Sequence, residues 1–315
     1  MTEIVYATGM RTRFRGITVR EGMLLEGAAG WGEFSPFWDY DGPTSLPWLR
    51  AAMEAADVGW PDPVRDLVPV NCTVPAVGPG RAAEIVRASG GCTTAKVKVA
   101  ERGQRLADDL ARVEAVRDAI GRDGRVRIDV NGAWTVDQAV EAVRAMRSFD
   151  LEYVEQPCAT VEELAEVRRR IDVPVAADES IRRADDPLRV VALDAADIAV
   201  LKVQPLGGVR ACLRIADQIG LPVVVSSALE SSVGIAAGVA LAAALPELPY
   251  ACGLATVSML EQDVVDEPLL PIDGMLPVRR PAPGAGLARA DVITRARWEQ
   301  RLAAVRALIG QDRVS

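Results

Sequence analysis

The chain has 315 residues, half of them hydrophobic and a quarter charged, with a net charge of −8. Its apolar content excludes disorder, and a negative chain without a Lys/Arg-rich run is a poor match for a nucleic-acid backbone. No stretch reaches the ~18 apolar residues of a membrane span, no basic-then-apolar leader opens the chain, and five scattered cysteines without a CxxC pair argue against zinc or disulfide frameworks.

Residues 1–65 carry alternating runs at Ile17–Leu25 and Gly30–Phe34, then a helical pattern at Leu46–Ala56, which together predict a small α+β lobe. From 66 to 262 short apolar strands alternate with amphipathic helices. The strand runs are Val68–Val74, Thr94–Val99, Val126–Val130, Leu151–Glu155, Val173–Ala177, Ile198–Val203, Pro222–Ser226 and, weakly, Tyr250–Leu254. Between them Leu106, Leu110 and Val113, then Val140, Val143 and Met146, then Val209, Leu213 and Ala216 recur at helical spacing. Eight strand–helix units without a long interruption predict a closed parallel TIM barrel of the (β/α)8 type. In the segment from 263 to 315, a proline-rich stretch at Pro268–Pro283 precedes a helix at Ala290–Leu308 and is expected to pack back on the lobe.

Two scarcities bear on chemistry. Histidine is absent, which removes Ser-His-Asp and Cys-His mechanisms and the commonest general base. Lysine occurs three times, at Lys96, Lys98 and Lys202, each inside an apolar, β-branched run, while arginine supplies the surface charge. A desolvated lysine can serve as a base, whereas arginine stays charged.

In a parallel barrel the chemistry sits where strands end. Those positions hold Lys96 and Lys98, Asp129 and Asn131, Glu155, Asp178 and Glu179, Lys202, and Ser226 with Ser227. From Lys98 the steps to Asp129, Glu155, Asp178 and Lys202 are 31, 26, 23 and 24 residues, each the length of one strand–helix unit. Three acids at one barrel mouth, with no His or Cys beside them, point to a hard cation, Mg²⁺ or Mn²⁺, held by Asp129, Glu155 and Asp178. Asn131 and Glu179 would orient these ligands or pair with a lysine. Lys96 and Lys98 share one face of a strand, where their like charges are expected to lower each other's pKa. Lys202, four strands on, faces them across the barrel. A metal between opposed lysines suits proton removal α to a carboxylate with stabilisation of the resulting enediolate.

The Lys96-Val-Lys98 pair, Asp129-Val-Asn131, Glu155-Gln-Pro157, Ala177-Asp178-Glu179-Ser180 and Lys202-Val-Gln-Pro-Leu-Gly-Gly208 resemble the enolase superfamily, muconate-lactonizing subgroup, over nearly the whole chain. Arg13-Phe-Arg-Gly-Ile-Thr-Val-Arg-Glu21, Gly30-Trp-Gly-Glu-Phe-Ser-Pro36 and Ser226-Ser-Ala-Leu-Glu-Ser-Ser-Val-Gly234 are similar, more narrowly, to its o-succinylbenzoate synthase family, known from actinobacterial menaquinone biosynthesis. The resemblance implies a modified (β/α)7β barrel under a capping lobe, and a cytoplasmic hydro-lyase acting on a small cyclic carboxylate. It implies that Asp129, Glu155 and Asp178 bind Mg²⁺, that Lys98 moves the α-proton, that Lys202 stabilises the enediolate and that Lys96 tunes Lys98. The superfamily also contains N-acylamino acid racemases and dipeptide epimerases, which use opposed lysines for proton exchange at one carbon. The lobe loop between Thr8 and Ile17 is short, and Arg15 within it is a candidate for a substrate carboxylate or for lobe packing. Ser226, Ser227 and Gly253 are candidates for the substrate pocket or for packing at the end of a strand.

Overall fold

In a computed structural model, residues 2–183 and 186–311 are described. The lobe opens with an antiparallel sheet of β1 (Glu3–Phe14), β2 (Ile17–Gly27) and β3 (Gly30–Phe34). The sequence pattern missed β1, because Arg11, Arg13 and Thr12 interrupt the apolar alternation in its second half. What reads as a short loop before Ile17 is a hairpin: Arg15 and Gly16 take positive φ of 49° and 78°, the backbone a tight two-residue turn needs. Helix α1 (Gly42–Met53) follows, capped by the Asp41 carboxylate on the amide of Thr44 at 2.9 Å.

The run at 68–74 divides in two. Its first part, β4 (Leu67–Pro69), pairs antiparallel with β12 (Met275–Pro277), and only β5 (Cys72–Val74) enters the barrel. Alternating with it come α2 (Pro79–Arg87), β6 (Thr94–Lys98), α3 (Leu106–Ile120), β7 (Arg125–Asp129), α4 (Val136–Ala145), β8 (Leu151–Glu155) and α5 (Val161–Arg168). Next are β9 (Val175–Ala177), the short α6 (Glu179–Arg182) and α7 (Arg189–Ala192), β10 (Ile198–Leu201), α8 (Val209–Ile219), β11 (Val223–Val225) and α9 (Ser232–Ala244). β5 to β11 form one parallel sheet in sequential order. The eighth run, Tyr250–Leu254, is no strand; it closes the ring through single bridges, Gly253 to Ser226 and Cys252 to Val70. The result is a TIM barrel with seven full strands, as the modified (β/α)7β form implies.

Thr135 and Thr160 start α4 and α5 in reciprocal boxes with Gln138 and Glu163. Helices α8 and α9 receive no side-chain cap of their own. Lobe carboxylates serve instead: Glu54 accepts from the amides of Val209 and Arg210 at 2.5 and 3.2 Å, and Glu33 from those of Ser231 and Gly234 at 3.1 Å each. The last helix, α10 (Val292–Gln311), buries Trp298, Leu302 and Val305 in one cluster with Phe34, Trp48 and Leu49 of the lobe. Barrel residues Ala228 and Leu229 belong to that same cluster.

Candidate active site

Strand register builds the rim. Lys98 lies opposite Asp129, and Asp129 opposite Glu155, so adjacent strands deliver them side by side. Asp178 and Lys202 each follow directly on the last residue of β9 and β10. Lys98 donates to Asp129 Oδ2 at 2.5 Å and to Asn131 Oδ1 at 2.7 Å. Lys96 forks onto both oxygens of Glu155, at 3.0 and 2.9 Å, and stands 3.4 Å from Asp129. Lys202 donates to Asp178 Oδ2 at 2.6 Å. Asn131, at a positive φ of 51°, passes the chain of contacts on by donating to Glu179 Oε1 at 3.2 Å. Gln156 fixes the third acid's backbone: its Oε1 accepts from the amides of Asp178 and Ser180 at 3.0 and 3.1 Å.

Asp129, Glu155 and Asp178 are completely or almost completely buried. Burial, then the neighbouring Asp129 charge, pushes the Glu155 carboxyl up to about 7, Lys96 notwithstanding. Burial would also raise Asp129, but Lys98 and Lys96 hold it well below the usual carboxylate range. Arg182 and Lys202 do the same for Asp178. The expectation for Lys96 needs correction. Burial does act to lower its pKa, but the Glu155 and Asp129 carboxylates outweigh it and the ammonium is raised, so facing acids matter more than the lysine two residues away.

Every one of the chain's three lysines lines a single cavity of about 560 Å³ between barrel and lobe, together with Asp129, Asn131 and Glu179. Arg15, Ser226, Ser227 and Gly253 line it as well. Glu155 and Asp178 lie under their cations, Lys96 on the first, Lys202 and Arg182 on the second. Among the described residues, no three carboxylate, thiol or imidazole groups cluster as a metal ion would require, since each acid is turned to a cation. The donor chemistry nonetheless suits a hard divalent ion: Asp129, Glu155 and Asp178 are three buried oxygen donors at the ends of consecutive strands.

Sequence reasoning missed Arg182, whose Nε meets Asp178 Oδ1 at 2.8 Å and whose Nη2 meets Glu179 at 2.5 Å. It also missed Tyr40, whose hydroxyl accepts from Arg15, Arg182 and Arg183 at 3.2–3.3 Å. The only trace of Arg182 is its place four residues after an acid, which a chain so rich in arginine offers many times.

Residues 80–291 match the family described as enolase C-terminal domain-like, and residues 5–56 the one described as enolase N-terminal domain-like. An o-succinylbenzoate synthase of Thermobifida fusca is 69% identical over 98% of this chain and 96% of its own. One of Mycolicibacterium smegmatis is 56% identical over 97% of this chain and 95% of its own. Among solved structures, the L-Ala-D/L-Glu epimerase of Bacillus subtilis superposes with a TM-score of 0.76 at 22% identity, covering 92% of this chain and 98% of that one. Muconate lactonizing enzyme of Pseudomonas fluorescens gives 0.75 at 22% identity, covering 96% of each chain. The two superpositions share the fold, and the near relatives decide the branch: the chain belongs to the o-succinylbenzoate synthase family of the enolase superfamily.

Proposed function

We propose that this chain is an o-succinylbenzoate synthase, a hydro-lyase that removes water from 2-succinyl-6-hydroxy-2,4-cyclohexadiene-1-carboxylate and releases o-succinylbenzoate for menaquinone biosynthesis. The observation that carries the reading is the gathering of all three lysines on one cavity with Asp129, in a chain 69% identical to a relative of that name.

Lys98, as the neutral amine, takes the proton α to the ring carboxylate. The resulting ammonium then gives that proton to the departing hydroxyl on the same face, so that water leaves and the ring becomes aromatic. Lys202 stays protonated opposite and stabilises the negative charge of the enediolate. Asn131 accepts from Lys98 and donates to Glu179, which fixes the direction of the amine. Lys96 stays charged beside Lys98, held by Glu155 and Asp129. Asp129, Glu155 and Asp178 hold the divalent ion, Mg²⁺ by donor hardness, which when bound supplies Lewis-acid stabilisation at the substrate carboxylate. Arg15, Ser226, Ser227 and Gly253 contact the rest of the substrate.

The test is loss of the cyclohexadiene absorbance with Mg²⁺ and with EDTA, beside racemisation of an N-succinyl amino acid by the same preparation. Metal-dependent aromatisation is expected. Racemisation without aromatisation would overturn the assignment and transfer it to the racemase branch.

A further inference from the structure

The segment between β11 and α9 carries Ser226 to Leu229 along the cavity wall, and its conformation is not the one its sequence prefers. Leu229 sits at a positive φ of 66°. For a branched side chain with a Cβ this left-handed backbone is disfavoured and persists only where surroundings dictate it. The lobe supplies those surroundings. Arg20 of β2 is 2% exposed. Its Nε donates to the carbonyl of Leu229 at 2.8 Å, and its Nη2 lies 3.5 Å from that of Ala228. The same Nη2 anchors in the lobe on the carbonyl and hydroxyl of Ser35, at 2.6 and 2.8 Å. Its guanidinium also lies 4.8 Å from the ring of Phe37, another cavity wall. A cation buried against neutral oxygens is costly, and a bond spanning 209 residues of sequence is not an accident of local chain geometry.

We propose that Arg20 is a positioning residue: the lobe sets the shape of the substrate cavity by gripping the main chain at Ala228 and Leu229, without Arg20 touching the substrate. The inference rests on reading this cavity as the synthase site. Glu33 secures the far end of the same segment through Ser231 and Gly234, and Glu230 takes the amide of Ala228, while Arg20 is the lobe side chain that takes the carbonyls of Ala228 and Leu229.

Arg20→Ala tests the grip through two readouts, steady-state kinetics and amide hydrogen exchange of the 226–231 segment. Loss of charge-assisted bonds of this kind is expected to raise KM about tenfold while kcat changes less than about threefold. Exchange at the loop should quicken, and millimolar guanidinium, which fits the vacated space, should reverse both changes. Ser35→Ala keeps Arg20 and removes one anchor, so it gives the same signs at smaller size if Arg20→Ala fails to fold. Unchanged loop exchange overturns the proposal, and so does quickened exchange with KM unchanged, which would make Arg20 mere cement between lobe and barrel. If the wild type itself does not aromatise the cyclohexadiene, the synthase reading falls, and the grip then stands or falls on the loop exchange alone.

Discussion

Glu230→Gln offers a quantitative test of the lobe–barrel junction. The carboxyl is 1% exposed. Its Oε2 accepts from the amide of Ala228 at 2.8 Å, while Oε1 has no partner. Burial, then the charge of Glu33, raises its pKa from an ordinary 4.5 to about 7, against the opposing effects of backbone amides and Arg20. Between those two values the unfolded chain carries a carboxylate while the native protein keeps the proton. Native stability therefore falls as pH rises through the window from 4.5 to about 7, and is flat in this respect on either side. At about 1.4 kcal/mol for each pH unit, the full effect is about 3 kcal/mol. Gln imitates the protonated acid and does not titrate, so the variant should gain on the wild type by that amount across the window. Urea melts of both proteins at a series of pH values, compared as differences, isolate the effect from every other titrating group. Parallel curves would refute the reasoning, and a difference that shrinks with rising pH would reverse its sign.

Lys98→Ala and Lys202→Ala should each lower kcat by about 10²–10⁴ with the fold retained by circular dichroism; a loss confined to KM would deny the amines their proposed roles. Titration calorimetry with Mg²⁺ alone should show one site that Asp129→Asn weakens, and heat unaltered by that change would remove Asp129 from the ligand set. Trp298→Ala should cost about 3–5 kcal/mol in a denaturant melt, because the ring is 1% exposed, sits edge-on to Phe34 at 5.9 Å and donates to Glu21 at 3.0 Å. A loss under about 1 kcal/mol would mean that α10 is not integral to the lobe core.

The barrel and its rim are legible in the sequence because each unit repeats one pattern: an apolar run, a charged residue at its end, a helix. Lys98, Asp129, Glu155, Asp178 and Lys202 all fall on that pattern, and register then brings them together. The run at 68–74 misleads because its apolar content continues unbroken while its pairing changes from β12 to the barrel at Val70. β1 is hidden because its outer half is polar and gets its partner from β2 only across the hairpin. The contacts of Arg20 and Arg182 escape for another reason. Each is one arginine among many, and nothing local distinguishes a side chain that meets its partner 209 residues away or one that turns onto an acid beneath it.

The borrowed caps of α8 and α9 have a consequence for the chain as an assembly. The barrel takes the termination of two of its helices from carboxylates encoded far upstream, at Glu33 and Glu54. Helix α9 is moreover buried at all but the last of its thirteen residues, and a Cβ at Gly238 would come within 2.6 Å of Leu254. Cut free of the lobe, the barrel would leave the amides of Ser231 and Gly234 without their carboxylate and would uncover Val233, which packs with Ile4, Tyr6 and Leu24 of the lobe. The lobe thus supplies the barrel with polar partners that the barrel's own sequence does not encode, so the helix starts of the scaffold depend on the part that covers it.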